Sequence, residues 1–176
     1  AYALDALTGQ LIWRTRIDDH PSATLTGTPA LSNGMLYVPV SSLEVIPAAD
    51  PSYPCCTFRG KVVALDAQSG TEVWTAWAID EAPTLQHRTE AGTAVYGPSG
   101  APIWSSPLVD EKRGLIYVGT GENYSSPANT SSDAVHAFSL KDGKRKWSRQ
   151  TLGKDAWNVA CMMEGNPNCP DEHGPD

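Results

Sequence analysis

Two adjacent cysteines, Cys55-Cys56, have the most unusual spacing among the chain's reactive side chains. Neighbouring Cα atoms lie about 3.8 Å apart across a trans peptide, below the usual disulfide span of about 4.4–6.8 Å. A bond between them closes a small strained ring, and such strain persists where function requires it. The alternative is two free or separately paired thiols. Trp104, in Ile103-Trp104-Ser105-Ser106, offers either a stacking face for a flat molecule or an ordinary core side chain. The hydroxyls of Thr26 and Ser41 can hydrogen-bond carboxylates or carbonyls. Glu44 suits a hard cation such as Ca²⁺, which takes oxygen ligands, or it is a solvated glutamate at a strand end. In Gly119-Thr120-Gly121-Glu122-Asn123-Tyr124, Glu122 and Asn123 could each supply an oxygen. Asp155 and Asn158 sit in Asp155-Ala156-Trp157-Asn158. A carboxylate there can accept a proton as general base and an amide cannot. Asp155 reads equally well as a turn or capping residue.

Other chemistry is poorly supported. The four histidines, His20, His87, His136 and His173, show no ligand spacing and suit surface or turn positions. No Cys-x-x-Cys zinc pair or Cys-x-x-Cys-His haem motif is present. Asn123 and Asn129 satisfy the glycosylation pattern, which is common by chance. The formal net charge of −7, with no run of Lys or Arg, argues against a nucleic-acid partner. No apolar run approaches the roughly 20 residues needed to span a bilayer. The chain opens on Ala1-Tyr2-Ala3-Leu4-Asp5, which looks like the inside of a strand. We expect a piece of a longer protein, so the lack of a signal peptide says nothing about compartment.

The elements that must position these residues are short strands. Met35-Leu36-Tyr37-Val38 and Leu115-Ile116-Tyr117-Val118 are β-branched and aromatic runs bounded by turn residues. One pattern occurs three times: Ala3-Leu4-Asp5 to Trp13, Ala64-Leu65-Asp66 to Trp74, and, more loosely, Ala137-Phe138-Ser139 to Trp147. Each runs strand, tight turn with Gly at positive φ, and return strand ending in Trp. A ring at a fixed place in each unit suggests that one unit docks on the next. A Pro-led strand and a Gly-x-x-Tyr-Val strand precede the second and third units, at Pro29 to Val38 and Pro107 to Val118. Four antiparallel strands per repeat is the blade of a β-propeller. The fold expectation is all-β, with about two and a half blades over residues 1–176; a β-sandwich is the rival. Blades end near Trp13, Trp74 and Trp147.

These residues resemble the pyrroloquinoline-quinone (PQQ) dependent alcohol dehydrogenases, quinoproteins whose propeller has eight blades. The repeat resembles the family's tryptophan-docking motif. The Cys-Cys pair, the Trp-Ser-Ser segment and the Gly-Thr-Gly segment, in that order, resemble the family's cofactor site. The resemblance implies that PQQ lies clamped between Trp104 and a Cys55–Cys56 disulfide. It implies that Arg59, Thr26 and Ser41 bind the cofactor, and that Glu44 with Glu122 or Asn123 binds Ca²⁺. Here Glu122 stands where the family has a calcium-binding Asn, and Asn158 stands where it has the proposed catalytic Asp. The base is therefore open between Asp155 and Glu122. The tail with Cys161 and Cys169, together with Cys-Cys-Thr-Phe-Arg-Gly, is most similar to the polyvinyl-alcohol-oxidising branch. It implies a second disulfide, an oxidising compartment, a periplasmic location, a polymeric secondary alcohol as substrate and a cytochrome c as electron acceptor. The rival functions are a protein-binding propeller resembling assembly lipoproteins, and a quinoprotein acting on sugars or other alcohols.

Overall fold

β-Branched and aromatic residues between Gly, Pro and Asn turns form strands from Tyr2 to Gln150. The computed structural model describes residues 1–171 and 174; His173 and the Pro175-Asp176 end fall outside the described residues. Strands β1 (Tyr2–Leu4) and β2 (Leu11–Arg14) form an antiparallel hairpin. The short β3 (Ala23–Thr24) pairs with the far end of β5. β4 (Ala30–Ser32), β5 (Met35–Ser42), β6 (Lys61–Asp66) and β7 (Glu72–Trp77) make the first complete blade. A hairpin, β8 (Thr84–Arg88) with β9 (Ala94–Gly97), follows, and its second strand bridges Val95 to Cys55. β10 (Ser99–Gly100) pairs with β13 (Asn123–Ser125). β11 (Leu108–Asp110), β12 (Leu115–Gly119), β14 (Ala134–Ser139) and β15 (Arg145–Gln150) make the second complete blade. Half a blade followed by two whole ones is the expected all-β partial propeller. The tryptophan strands run on past their Trp, to Arg14, Trp77 and Gln150.

The repeated turn has one construction. Asp5 Oδ1 accepts the Thr8 N–H at 2.7 Å, and Asp66 Oδ1 accepts the Ser69 N–H at 2.7 Å. Gly9, Gly70 and Gly143 then take φ values of 71°, 72° and 66°, which side chains resist. The glycines also make room for docking. The Trp13 ring lies where a Cβ on Gly70 would sit, 2.5 Å from its Cδ2, and the Trp74 ring stands in the same way over Gly143, 2.6 Å away. Trp13 Nε1–H donates to the Ala67 carbonyl at 3.0 Å, and Trp74 Nε1–H donates to that of Leu140 at 3.2 Å. Each indole thus docks on the turn of the next blade.

Strand alternation builds the core between blades. On β6, Val62 and Ala64 enter one buried cluster with Tyr37, Trp74, Ile116 and Phe138, whereas Val63 and Leu65 enter another with Trp13, Val38 and Val40. A strand buried on both faces needs an unbroken apolar run, as Val62-Val63-Ala64-Leu65 supplies. Two insertions break the regular blades. Residues 43–60 join β5 to β6, and residues 120–133, which carry β13, join β12 to β14. They meet at the candidate site.

Candidate cofactor site

The ends of β5, the segment before β11 and the start of the 120–133 insertion enclose a cavity of about 200 Å³. Thr26, Ser41, Trp104 and Glu122, all expected to act on a cofactor or metal, line it together. Ser42, Leu43, Val45, Pro102 and Tyr124 complete the lining. Trp104 leaves 63% of its surface exposed, far more than Trp13 or Trp74. Thr26 Oγ1–H donates to the Trp104 carbonyl at 3.1 Å and ties the two sides of the mouth. The Tyr124 hydroxyl donates to the Ser42 carbonyl at 3.2 Å. Burial, and then the nearby charges of Glu122 and Glu44, push its pKa well above the ordinary phenol value, so it stays protonated.

The other expected site residues do not line this cavity. Cys55 and Cys56 are joined by a disulfide across a cis peptide, with Cα atoms 3.0 Å apart rather than at the trans distance. Cys55 is 1% exposed and Cys56 0%, packed in one buried cluster with Phe58, Val40 and Tyr124. Tyr124 lines the cavity and the two cysteines do not, although they share its buried cluster. Arg59 is also turned elsewhere. Its guanidinium lies 4.1 Å over the Trp77 ring and donates to the Ile79 and Asp80 carbonyls at 3.0 and 2.9 Å.

The expected metal ligands part company for similar reasons. Glu44 is fully buried, and its carboxylate is taken up by donors. It accepts the Thr57 N–H at 2.9 Å, the Phe58 N–H at 2.8 Å and the Tyr53 hydroxyl at 3.1 Å, and His20 Nε2 lies 3.3 Å away. Burial alone would raise its pKa, but the hydrogen bonds from His20, Phe58 and Thr57 outweigh it and hold the carboxyl below the usual glutamate range. Glu44 braces the segment after the disulfide. Asn123 is buried, with Nδ2–H donating to the Ser99 carbonyl at 2.9 Å and Oδ1 accepting the Asn129 N–H at 2.8 Å. Of the three, only Glu122 faces the cavity. Among the described residues no three His, Cys, Asp or Glu side chains group to hold a metal ion.

Asp155 and Asn158 are both buried, and neither lines the cavity. Asp155 contributes its backbone, accepting the Asn123 N–H at 3.2 Å. Asn158 uses its whole amide: Nδ2 donates to the Tyr124 and Asn168 carbonyls, each at 2.8 Å, and Oδ1 accepts the Ala160 N–H at 2.8 Å. Asn158 thus ties three stretches of chain together. Cys161 and Cys169 form the second disulfide, with Cα atoms 4.7 Å apart.

A family model for the β-propeller domain of PQQ-dependent glucose, ethanol and alcohol dehydrogenases matches residues 29–165. The chain belongs to this quinoprotein family. It is 40% identical over its full length to a polyvinylalcohol dehydrogenase of a Pseudomonas species and to another of Sphingopyxis, covering 27% of each. Among solved structures, a quinohemoprotein alcohol dehydrogenase of Pseudomonas putida HK5 superposes with a TM-score of 0.65 at 26% identity. That match covers 89% of this chain and 24% of the other. The chain thus spans about a quarter of the length of the relatives it matches.

The residues of this quinoprotein segment fit one wall of a site for a flat, oxygen-rich cofactor. They offer an exposed indole face at Trp104, braced by the Thr26 hydroxyl, hydroxyls at Ser41 and Ser42, and one carboxylate at Glu122. Tyr124, Pro102, Leu43 and Val45 carry no motif that singles them out in the sequence, although alternation offers a signal. Residues two apart on an extended chain share a face. Tyr124 accompanies Glu122, and Pro102 accompanies Trp104. Asn123 and Ile103, between them, turn into buried surroundings. Leu43 and Val45 flank the inward-turned Glu44 in the same way.

Proposed function

We propose that the full-length protein oxidises secondary alcohols to ketones with PQQ as cofactor, and that polyvinyl alcohol is the substrate. Family membership supports the cofactor, and the two full-length matches named for polyvinyl alcohol support the substrate. The observation that carries the reading is the convergence of Trp104, Thr26, Ser41 and Glu122 on one cavity. Bound PQQ supplies two-electron acceptance at a quinone carbonyl. Trp104 presents its ring face to a flat ligand and fixes its plane, Thr26 steadies Trp104 through its carbonyl, and the Ser41 hydroxyl orients the ligand's oxygens. Glu122 is the carboxylate on the cavity wall, and it takes the hydroxyl proton of the substrate as general base. Leu43, Val45 and Pro102 give that wall an apolar surface suited to the methylene units of such a substrate.

Oxidation of the carbinol releases two electrons and two protons. In this proposal a cytochrome c receives the electrons and the protein works in the periplasm. The two disulfides agree with an oxidising compartment. The test is dye-linked oxidation of secondary alcohols and polyvinyl alcohol by the full-length protein supplied with PQQ. Turnover that needs PQQ and falls on Glu122→Gln supports the reading; absence of both PQQ binding and alcohol turnover rejects it.

A further inference from the structure

Asn158 stands where a base is expected, yet its amide is wholly committed, and the bonds it makes join separate parts of the site. The cavity has two walls from distant stretches of chain, one with Leu43 and Val45 after β5, the other with Glu122 and Tyr124 entering β13. Segment 155–169 ties itself to both. On the β13 side, Asn123 N–H donates to the Asp155 carbonyl at 3.2 Å, Trp157 N–H donates to the Asn123 carbonyl at 2.8 Å, and Asn158 Nδ2 holds the Tyr124 carbonyl at 2.8 Å. On the β5 side, Val159 N–H donates to the Val45 carbonyl at 3.1 Å, and Asn166 Nδ2 donates to that of Ala49 at 2.7 Å. Asn168, 3% exposed, aims Nδ2 at three carbonyls of the same insertion: Ala48 at 3.1 Å, Asp50 at 2.9 Å and Tyr53 at 3.1 Å. The two halves meet where Asn158 Nδ2 donates to the Asn168 carbonyl at 2.8 Å, and the Cys161–Cys169 disulfide closes the loop that carries Asn166 and Asn168.

We propose that Asn158 and Asn168 are positioning residues, a clamp that sets the separation of the two cavity walls and so the fit of the cofactor. The chemistry needs amides. A side chain at residue 158 must donate to two carbonyls while accepting an N–H, and a carboxylate would face two carbonyl oxygens with no proton to offer. Asn168 shares its two N–H groups among three carbonyls gathered round one point. Insertion 43–60 has little regular structure: Glu44 braces it from within, and these bonds tie it to segment 155–169. The part of the proposal that concerns the cofactor rests on the PQQ reading; the part that concerns the walls does not.

Both parts are tested on the full-length protein with Asn168→Ala, and with the milder Asn166→Ala should the first fail to fold. Amide hydrogen exchange read by mass spectrometry should rise in residues 43–57 and 122–126 together, with no rise in β14 and β15. PQQ affinity, followed by quenching of tryptophan fluorescence, should weaken about tenfold, the scale of losing a supporting partner behind a bound group. A control, Ile116→Val in the other buried cluster, should lower thermal stability and leave PQQ affinity unchanged. Exchange that rises only within 155–170, or a control that weakens PQQ as much as Asn168→Ala, would overturn the clamp. A wild-type protein that binds no PQQ would reject the cofactor reading, and the exchange result would still decide whether the clamp exists.

Discussion

Side-chain direction sorts the expected site residues into two groups. Trp104 and Glu122 face the cavity, whereas Glu44, Asn123 and Asn158 spend their polar atoms on the backbone. Glu122→Gln should lower kcat by about 10²–10⁴-fold with little change in melting temperature, the usual range for losing a general base. Steady-state kinetics and a thermal melt check both halves of that statement. Asn158→Asp removes two donated hydrogen bonds at a site with no solvent access. It should cost about 2–4 kcal/mol in denaturant unfolding and raise no activity; a gain in turnover would show that residue 158 reaches substrate. The residue types at the site are legible in the sequence, and their orientations only partly. Cys55-Cys56 stands out by its spacing, but its burial beside Phe58 and Tyr124 follows from tertiary packing that spacing does not encode. The shared face of Glu122 and Tyr124 is available from the period of two.

Elements repeat because one device, an indole set over a turn glycine, joins each blade to the next. The pattern from Asp66 to Trp74 specifies the turn, the positive φ and the docking ring, so this level of the fold is the most legible. The hairpin β8–β9 and the pairing of β10 with β13 have no such signal, since neither belongs to the repeat. Docking and turn strain can be separated by two substitutions. Gly34 has φ of 76° with no atom within 4 Å of the point a Cβ would occupy, whereas Gly143 has φ of 66° and the Trp74 ring 2.6 Å from that point. Gly34→Ala should cost about 1 kcal/mol from the left-handed backbone alone. Gly143→Ala adds overpacking of about 1–3 kcal/mol. Equal losses in urea unfolding would mean that the indole does not hold the blades together.

Across the molecule, buried titratable groups set its response to acid. Burial holds His136 below its ordinary value of 6.5, because a charged ring would lose its hydration. Unfolded chains therefore take up this proton first, and stability falls as pH drops below 6.5 towards the folded value. Glu44 works in a second window: its lowered pKa contributes stability above 4.5 that is lost as pH falls through the folded value. Urea midpoints of the full-length protein should fall from about pH 7 to 5, and fall less in His136→Gln; a parallel decline in both would remove His136 as the cause.

The most direct measurement of the central claim pairs two readouts on the full-length protein and its Glu122→Gln variant: PQQ binding by titration, and oxidation of a secondary alcohol with a dye acceptor. The cavity walled by Trp104 and Glu122 predicts that both proteins bind PQQ and that only the wild type turns over at an appreciable rate. Undiminished turnover by the variant, or PQQ bound as tightly after Trp104→Ala, would contradict it.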